Sequence, residues 1–545
     1  MTVVPFLLIA AAAGTAALVV RANRAWSTAI ALIGLVAMAL SASRIGATAA
    51  IEIGGTTLAG SDWLRLFAIL GSVVGVLLVV VDLAAVHEPD VPGVIALGIG
   101  ACVLALAIPD AGTAVIAATA GGLAGILVAA PIGAAARAAA VGARELRALA
   151  VAGALAIGAT AWLARPLGDL ALVPEVFELA YLAFATAVTV RLGAIPFHLW
   201  AARVADAAPG IALPLLMAWG PAAFAAVALV WIDRSVAPLA LQIDFDGARL
   251  LVAIVGAASV VLGIVAAAIQ DDLEHVVGYT IAADAGFIVL ALAGFEPAVW
   301  EPSRTWLLAF VVGRSAFAAW AVAIHGSFGT RRLPELDGWA RRAPGLAIAL
   351  VAIAVASIAW PGVTVWGARS TIAGLALADP FASLVTIAPV GLALVYGRLL
   401  RVGLRTAGPA VRAGRSERVG WPAPLPRRPI GGVSPVERGF ERTSHAIAGG
   451  LDILWSIPAA IRMNRTPLAS VAVLVLAVLT AAISAGGLGV PEAARAVPVL
   501  GEPGPGPEAS PPPAESGDPG ATPTLGFEPV EPPAGASGAP GSPGG

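Results

Sequence analysis

The sequence predicts an all-α polytopic membrane protein of about fourteen transmembrane helices, and three observations carry that expectation. The 545 residues are 59% apolar and only 12% charged, with a mean hydropathy of +0.90, which fits a chain dissolved in lipid and no ordinary soluble domain. The apolar residues come in runs of roughly 20, the length a helix needs to cross a hydrocarbon core of about 30 Å. The loops between these runs carry arginine unevenly, as the positive-inside rule requires of a multi-pass protein.

The runs fall near residues 2–20, 26–43, 63–86, 92–108, 112–132, 147–164, 177–208, 209–232, 248–269, 276–297, 304–325, 345–378, 381–402 and 466–487. The first, VVPFLLIAAAAGTAALVV, has no basic residue before it and RANR after it, so it reads as a retained span and not a cleaved signal peptide. Two runs are longer than one helix needs and carry Pro or Gly inside, at Pro196 and at Pro361-Gly362. Each predicts a broken helix. Such breaks are tolerated at membrane depth only where the freed backbone groups meet protein or water, so they line pathways.

Loop charge orients the spans. The loops with Arg21 and Arg24, with Arg137 and Arg144, and with Arg331, Arg332, Arg341 and Arg342 are expected on the cytoplasmic side, as is 403–465 with ten arginines against four acids. Loops 233–247 and 297–303, richer in Asp and Glu, fall opposite. With 345–378 crossing once, both termini lie outside a cell's inner (plasma) membrane. Residues 488–545 are Pro/Gly-rich, contain PPPAESGDPGATP and show no apolar periodicity, so a disordered tail is expected. Within 403–465, VERGFERTSHAIAGGLDILWSIPAAIRM fits an amphipathic interfacial helix or an irregular loop equally well.

Charges inside the runs are the next signal. Arg191, in RLGAIPFHLW, follows the apolar stretch VFELAYLAFATAVTV; an arginine at that depth costs roughly 2.5–3.5 kcal/mol on insertion scales and so faces protein or water. All 32 basic residues are arginine. The single cysteine, Cys102, cannot hold an iron–sulfur cluster or close an internal disulfide. No metal-ligand spacing, Gly-rich phosphate loop or Ser/Cys triad occurs, so no cofactor or metal is expected in this chain and any redox chemistry belongs to partners. No basic face with interleaved aromatics is present, and no nucleic-acid partner is expected.

The order of several motifs carries a resemblance. RLGAIPFHLW with Pro209 beyond it resembles the lysine-x4-Pro-Phe-His-x-Trp stretch of the antiporter-like subunits of respiratory complex I (N/M/L-type), which are related to Mrp antiporters and membrane-bound hydrogenase subunits. QDDLEHVVGYTIAADAG (270–286) resembles their Q-x-D-L-K-R-L-L-A-Y-S-S-I segment through Gln270, Asp272, Leu273, Tyr279 and Gly286. RRLPELDGWARRAP (331–344), PGVTVWGAR (361–369) and VYGRLLRV (395–402) resemble three further stretches in the same order. The likeness covers roughly residues 60–402, and PFHLW leans towards the N- or M-type subunit.

The resemblance implies two inverted five-helix repeats, each with a broken helix, here 92–232 and 248–402, preceded by helices in 1–91. The Arg-rich segment 403–465 and a last helix at 466–487 follow. It also implies membrane subunits of a respiratory or antiporter complex as partners, the lipid bilayer as solvent, and protons or Na+ as the moving ion. The chain would be a subunit of a proton-translocating NADH:quinone oxidoreductase with no redox centre of its own. By position, the family's relay lysines become Arg191, Arg314 (in FVVGRSAF) and Arg369, with His198, Asp284 and Glu178 as further proton-pathway candidates.

Several relay positions are rewritten. Arginine, with a pKa above about 12, is a poor proton donor where lysine is a workable one. The acid expected in 112–132 is absent, Pro221 stands where a lysine is expected, and Glu274-His275 reverses a Lys-Arg pair. Two readings stand: a subunit that no longer conducts through the usual chain, or one that conducts with Asp284, His198, Glu178 and water in place of the lost groups. Structural roles stand beside each functional one. Arg191 and Arg314 can tie helices together through carbonyls, His198 can cap the break at Pro196, Asp284 can pair with an arginine of the other repeat, and Glu274-His275 can be a solvated cap. Trp200, Trp339 and Trp366 suit packing or interfacial anchoring. A non-conducting structural subunit and an independent secondary transporter are the alternative functions.

Overall fold

The computed structural model describes residues 1–85, 91–129, 136–164, 174–198, 200, 210–240, 246–405, 442, 446 and 465–486. Residues 406–441, most of 442–464 and the tail from 487 lie outside these, and so do the expectations for the Arg-rich segment, the tail and Pro209. Helices α1 (Val4–Val19), α2 (Arg24–Ala42) and α3 (Asp62–Ala85) open the chain. They are followed by α4 (Val91–Ala107), α5 (Ala111–Ala129), α6 (Ala136–Ala164) and α7 (Pro174–Leu192). A continuous helical stretch then runs through a π-helical turn at Leu215–Trp219, α8 (Gly220–Trp231) and a second π turn at Ile232–Val236. The second half contains α9 (Asp246–Ile269), α10 (Leu273–Leu292), α11 (Trp300–Phe328), α12 (Pro344–Ile358), α13 (Thr364–Ala376), α14 (Phe381–Ile387), α15 (Leu392–Leu404) and α16 (Arg465–Ser484). Among the described residues nine helices are long and apolar enough to cross a membrane, with shorter apolar helices at Val4–Val19, Pro92–Ala107, Ala111–Leu123 and Pro344–Ile358.

One element departs from the all-helical expectation. Between α2 and α3, AIEI and TTLA pair as antiparallel strands β1 (Ala50–Ile53) and β2 (Thr56–Ala59). Gly54 and Gly55 take φ of 59° and 78° between them, the positive-φ pair that a two-residue hairpin turn demands. Its polar/apolar alternation outside any long apolar run was a legible signal that hydropathy windows pass over.

Both expected breaks are present. Helix α7 ends at Leu192 and the chain turns through Gly193–Phe197 before helical geometry resumes at His198. The freed groups find partners: the Ile195 N–H donates to Ser259 Oγ of α9 at 3.1 Å, and Trp200 Nε1 donates to the Val190 carbonyl at 2.8 Å. At the second break α12 stops at Ile358 and α13 starts at Thr364, with Ala359 at φ 48° and Gly362 at φ 97° reversing the backbone.

Packing follows small residues, as expected where lipid removes the hydrophobic drive between helices. The α9–α10 pair brings two helix backbones close together. A Cβ at Gly286 would sit 2.6 Å from the Gly256 carbonyl and 2.7 Å from Val260 N, and one at Gly263 would sit 2.8 Å from Ala283 Cα. The most enclosed helix is α11, sheathed by neighbours on nearly all sides. It carries Arg314 and Ser315 in its middle.

Helix α6 begins earlier than hydropathy suggests. The apolar run starts near 147, yet the helix starts at Ala136, because ARAAAVGAREL consists largely of strong helix formers whose charges do not interrupt a helix. Glu145, which the apolar run leaves in a loop, is thereby set inside α6 and buried.

Candidate functional site

The site is built around two broken helices and three buried guanidinium groups. Arg191 ends α7, is 4% exposed, and donates from Nη1 to the Leu216 carbonyl in the π-helical turn, at 3.4 Å. A π turn disrupts the regular i→i−4 pairing and often marks functional positions. Glycine supplies the room: a Cβ on Gly220 would stand 3.0 Å from Arg191 Nη2, and one on Gly122 of α5 would stand 3.6 Å from the same atom. Glu145 of α6 lies within electrostatic reach of Arg191. No hydrogen-bond partner reaches Glu145 Oε1 among the described residues.

The second cluster is closed more tightly. Arg314 Nε donates to Asp284 Oδ2 at 2.6 Å, with both side chains almost fully enclosed. Arg314 Nη1 lies 3.5 Å from the Tyr396 hydroxyl, and Trp306 Nε1 donates to the Asp284 backbone carbonyl at 3.1 Å. Arg369 is 0% exposed. Its Nη2 donates to the Ile358 carbonyl at 2.5 Å, so this cation caps the helix end that the second break creates. The rings of Phe287, Trp306 and Trp366 surround its guanidinium at 5.8, 5.5 and 5.8 Å, close enough for cation–π attraction. Arg369 Nε and Nη1 have no partner among the described residues. Beside the pair, a cavity about the size of one water is lined by Asp284, Arg314, Ser357, Thr480 and Ser484. Helix α16 thus contributes two hydroxyls to the site, and Ser484 Oγ also donates to the Ala356 carbonyl at 3.1 Å.

A side chain joins the two clusters. Trp219, one turn beyond Arg191's acceptor, donates to Ser315 Oγ at 3.0 Å, and Ser315 donates onward to the Val311 carbonyl at 2.6 Å. Indole is a donor only. Pro221 and its neighbours on α8 are otherwise apolar and buried.

Several expectations are revised by these contacts. Asp284 pairs with Arg314 of the next helix and not with an arginine of residues 92–232, because α10 and α11 are adjacent and place the two side chains face to face. Glu274 is no isolated solvated cap: Asp272 caps α10, accepting from Glu274 N at 3.0 Å, while Arg331 binds Asp272 at 2.9 Å and Glu274 at 2.6 Å. The reversed charge at 274 is matched by Arg331. Glu178 lies thirteen residues from Arg191 on the same helix, about 20 Å along its axis, so the structure does not bring the two together. His198 stands past the first break with its ring 5.9 Å from that of Tyr279, and its Nδ1 has no partner among the described residues. Trp339 is fully enclosed, donating to the Leu399 carbonyl at 3.1 Å, as a packing residue does.

Two buried acids were not picked out from sequence. Glu145 is the sole acid between Asp110 and Asp169, a signal visible once α6 is extended backwards. Asp82, 1% exposed, closes α3, where Arg24 Nη2 approaches its carboxylate at 3.5 Å; an aspartate flanked by VVV and LAA was its signal. Among the described residues no group of three or more His, Cys, Asp or Glu is placed to hold a metal ion.

Residues 167–392 match the family model described as "NADH:quinone oxidoreductase/Mrp antiporter, TM". NADH-quinone oxidoreductase subunit N of Dehalococcoides mccartyi is 29% identical over 235 residues, 42% of this chain and 48% of that protein. The match therefore spans about half the length of this curated relative. A subunit of the membrane-bound sulfane sulfur reductase, an archaeal respiratory membrane complex, superposes with a TM-score of 0.64 at 16% identity, covering 88% of this chain and 99% of that one. A chain of respiratory complex I from Thermus thermophilus gives 0.61 at 17% identity, with 89% and 98% covered. At these identities the structural likenesses establish the fold alone, that of a multi-pass helical membrane protein. Through its residues 167–392, the chain is similar to the NADH:quinone oxidoreductase/Mrp antiporter family of membrane subunits.

Proposed function

We propose that the chain is an antiporter-like membrane subunit of a complex I-type NADH:quinone oxidoreductase or a related respiratory complex, taking part in proton or Na+ translocation while its partners carry the redox centres. The observation that supports this best is the enclosed Asp284–Arg314 pair with Arg369 beside it, next to a broken helix and a water-sized cavity. A fold that served only as scaffold gains little from keeping such charges in its interior. In this reading Arg191, Arg314 and Arg369 are fixed charges that order water and set the local potential, because arginine does not give up its proton. His198 and Glu178 remain as exchanging groups, while Asp284 holds Arg314 in place. Residues 92–232 and 248–402 act as the two inverted repeats, with fourteen crossings, both termini outside, and the inner membrane as the site.

A second reading, a non-conducting structural subunit, is favoured by one contact. The Trp219–Ser315 hydrogen bond and the apolar run from Pro221 lie between the two clusters, where a continuous relay needs a titratable group. Purification from native membranes, followed by reconstitution in vesicles with a pH-sensitive dye, tests both readings. Co-purified iron–sulfur or flavin subunits with redox-driven acidification support the first. Redox turnover with no proton or Na+ movement in a complex reduced to this subunit and its redox partners supports the second, and a protein that isolates alone argues against either.

A further inference from the structure

We propose that Glu145 is the proton-carrying group of the first repeat, standing on α6 next to the fixed charge of Arg191. This rests on the transport reading above. The family acid expected in 112–132 is missing, and α5 presents Gly121 and Gly122 where it packs. Gly122 lets α6 and Arg191 pack close to α5: a Cβ there would stand 2.7 Å from Leu149 Cδ2 and 3.6 Å from Arg191 Nη2. Leu149 and Glu145 are four residues apart and so share a face of α6. The carboxyl of Glu145 therefore reaches the Arg191 region from the neighbouring helix.

The contrast with the second repeat separates a carrier from a clamp. Asp284 is locked by a 2.6 Å bond to Arg314. Glu145 is 4% exposed, senses Arg191 electrostatically, and leaves Oε1 without a hydrogen bond among the described residues. A buried carboxyl oxygen in that state is costly unless water or a proton visits it. The step is simple in its balance. The carboxylate takes a proton from a hydronium on one side, leaving water, and later returns it to a water on the other side; no other bond changes. In the carboxylate state Glu145 offsets the charge of Arg191, and in the acid state that charge is left to orient the water wire.

The test uses the intact complex from native membranes. With wild type, proton flux is expected in reconstituted vesicles, and infrared difference spectra across pH should contain a protonated-carboxyl C=O band that shifts in D2O. Glu145→Gln should remove that band and reduce flux to the background of empty vesicles, while Glu145→Asp, which keeps a carboxyl, should retain part of both. If Gln impairs assembly, the Asp variant still decides through its displaced band. Wild-type flux together with undiminished flux in Glu145→Gln, or an unchanged carboxyl band in both variants, overturns this inference alone. Absence of wild-type flux overturns the transport reading and this inference with it.

Discussion

Replacing Asp284 with Asn removes the acid from the most deeply buried charge pair among the described residues while preserving its shape. Arg314 would then have only a neutral amide oxygen and the 3.5 Å approach to Tyr396, with no carboxylate to balance its charge, in a site where its side chain is 2% exposed. Arg369, which interacts electrostatically with both residues, would lose the nearby negative charge as well. Breaking one side of a buried ion pair destabilises by about 3–5 kcal/mol, because the remaining charge stays buried and unpaired. That corresponds to roughly a hundred- to several-thousandfold in the folding equilibrium. The paired change Asp284→Asn/Arg314→Gln should recover much of the loss, since the two amides can hydrogen bond and no unpaired charge is added. Unfolding of the four proteins by denaturing detergent in mixed micelles closes a double-mutant cycle. A coupling energy indistinguishable from zero, below about 0.5 kcal/mol, would show that the pair is not the clamp described here.

Further outcomes follow from single contacts. Gly286→Ala places a methyl against backbone atoms of α9 at 2.6 and 2.7 Å; neither can rotate away, so a loss of about 1–3 kcal/mol is expected, and an unchanged thermal midpoint would mean that α9 and α10 shift apart freely. Arg191→Lys should be tolerated or raise proton flux, since lysine can lose its proton at a reachable pKa, whereas Arg191→Ala should weaken assembly; abolished flux in the lysine variant of a fully pumping complex would make arginine itself a working relay element. Single cysteines at Ser416 and Ser510 should react with impermeant reagents from opposite sides of the membrane, the native thiol Cys102 being buried. Reaction of both from one side refutes the fourteen-crossing topology.

Much of the architecture was legible in the chain because it depends on quantities a sequence carries linearly. Apolar run length fixes which segments enter lipid, and Pro196 and Pro361-Gly362 forbid regular helix pairing where they stand, so both breaks follow from local stereochemistry. The ordered motifs pointed to the family before any contact was known. Partnership is different in kind, because it depends on which helices become neighbours. Asp284 and Arg314 are thirty residues apart in sequence and 2.6 Å apart in space; nothing in either helix alone distinguishes Arg314 from Arg191 as the partner. Glu145 lies outside its apolar run and becomes a buried group only because the helix begins earlier and packs against α7. Arg331 answers the reversed charge at Glu274 across fifty-seven residues, and Trp219 meets Ser315 across ninety-six. Spans and breaks are set by local free energies of insertion and backbone pairing. The charge pairs of the interior are set by the tertiary fold, since low-dielectric electrostatics depends on separations of a few ångströms that only helix packing determines.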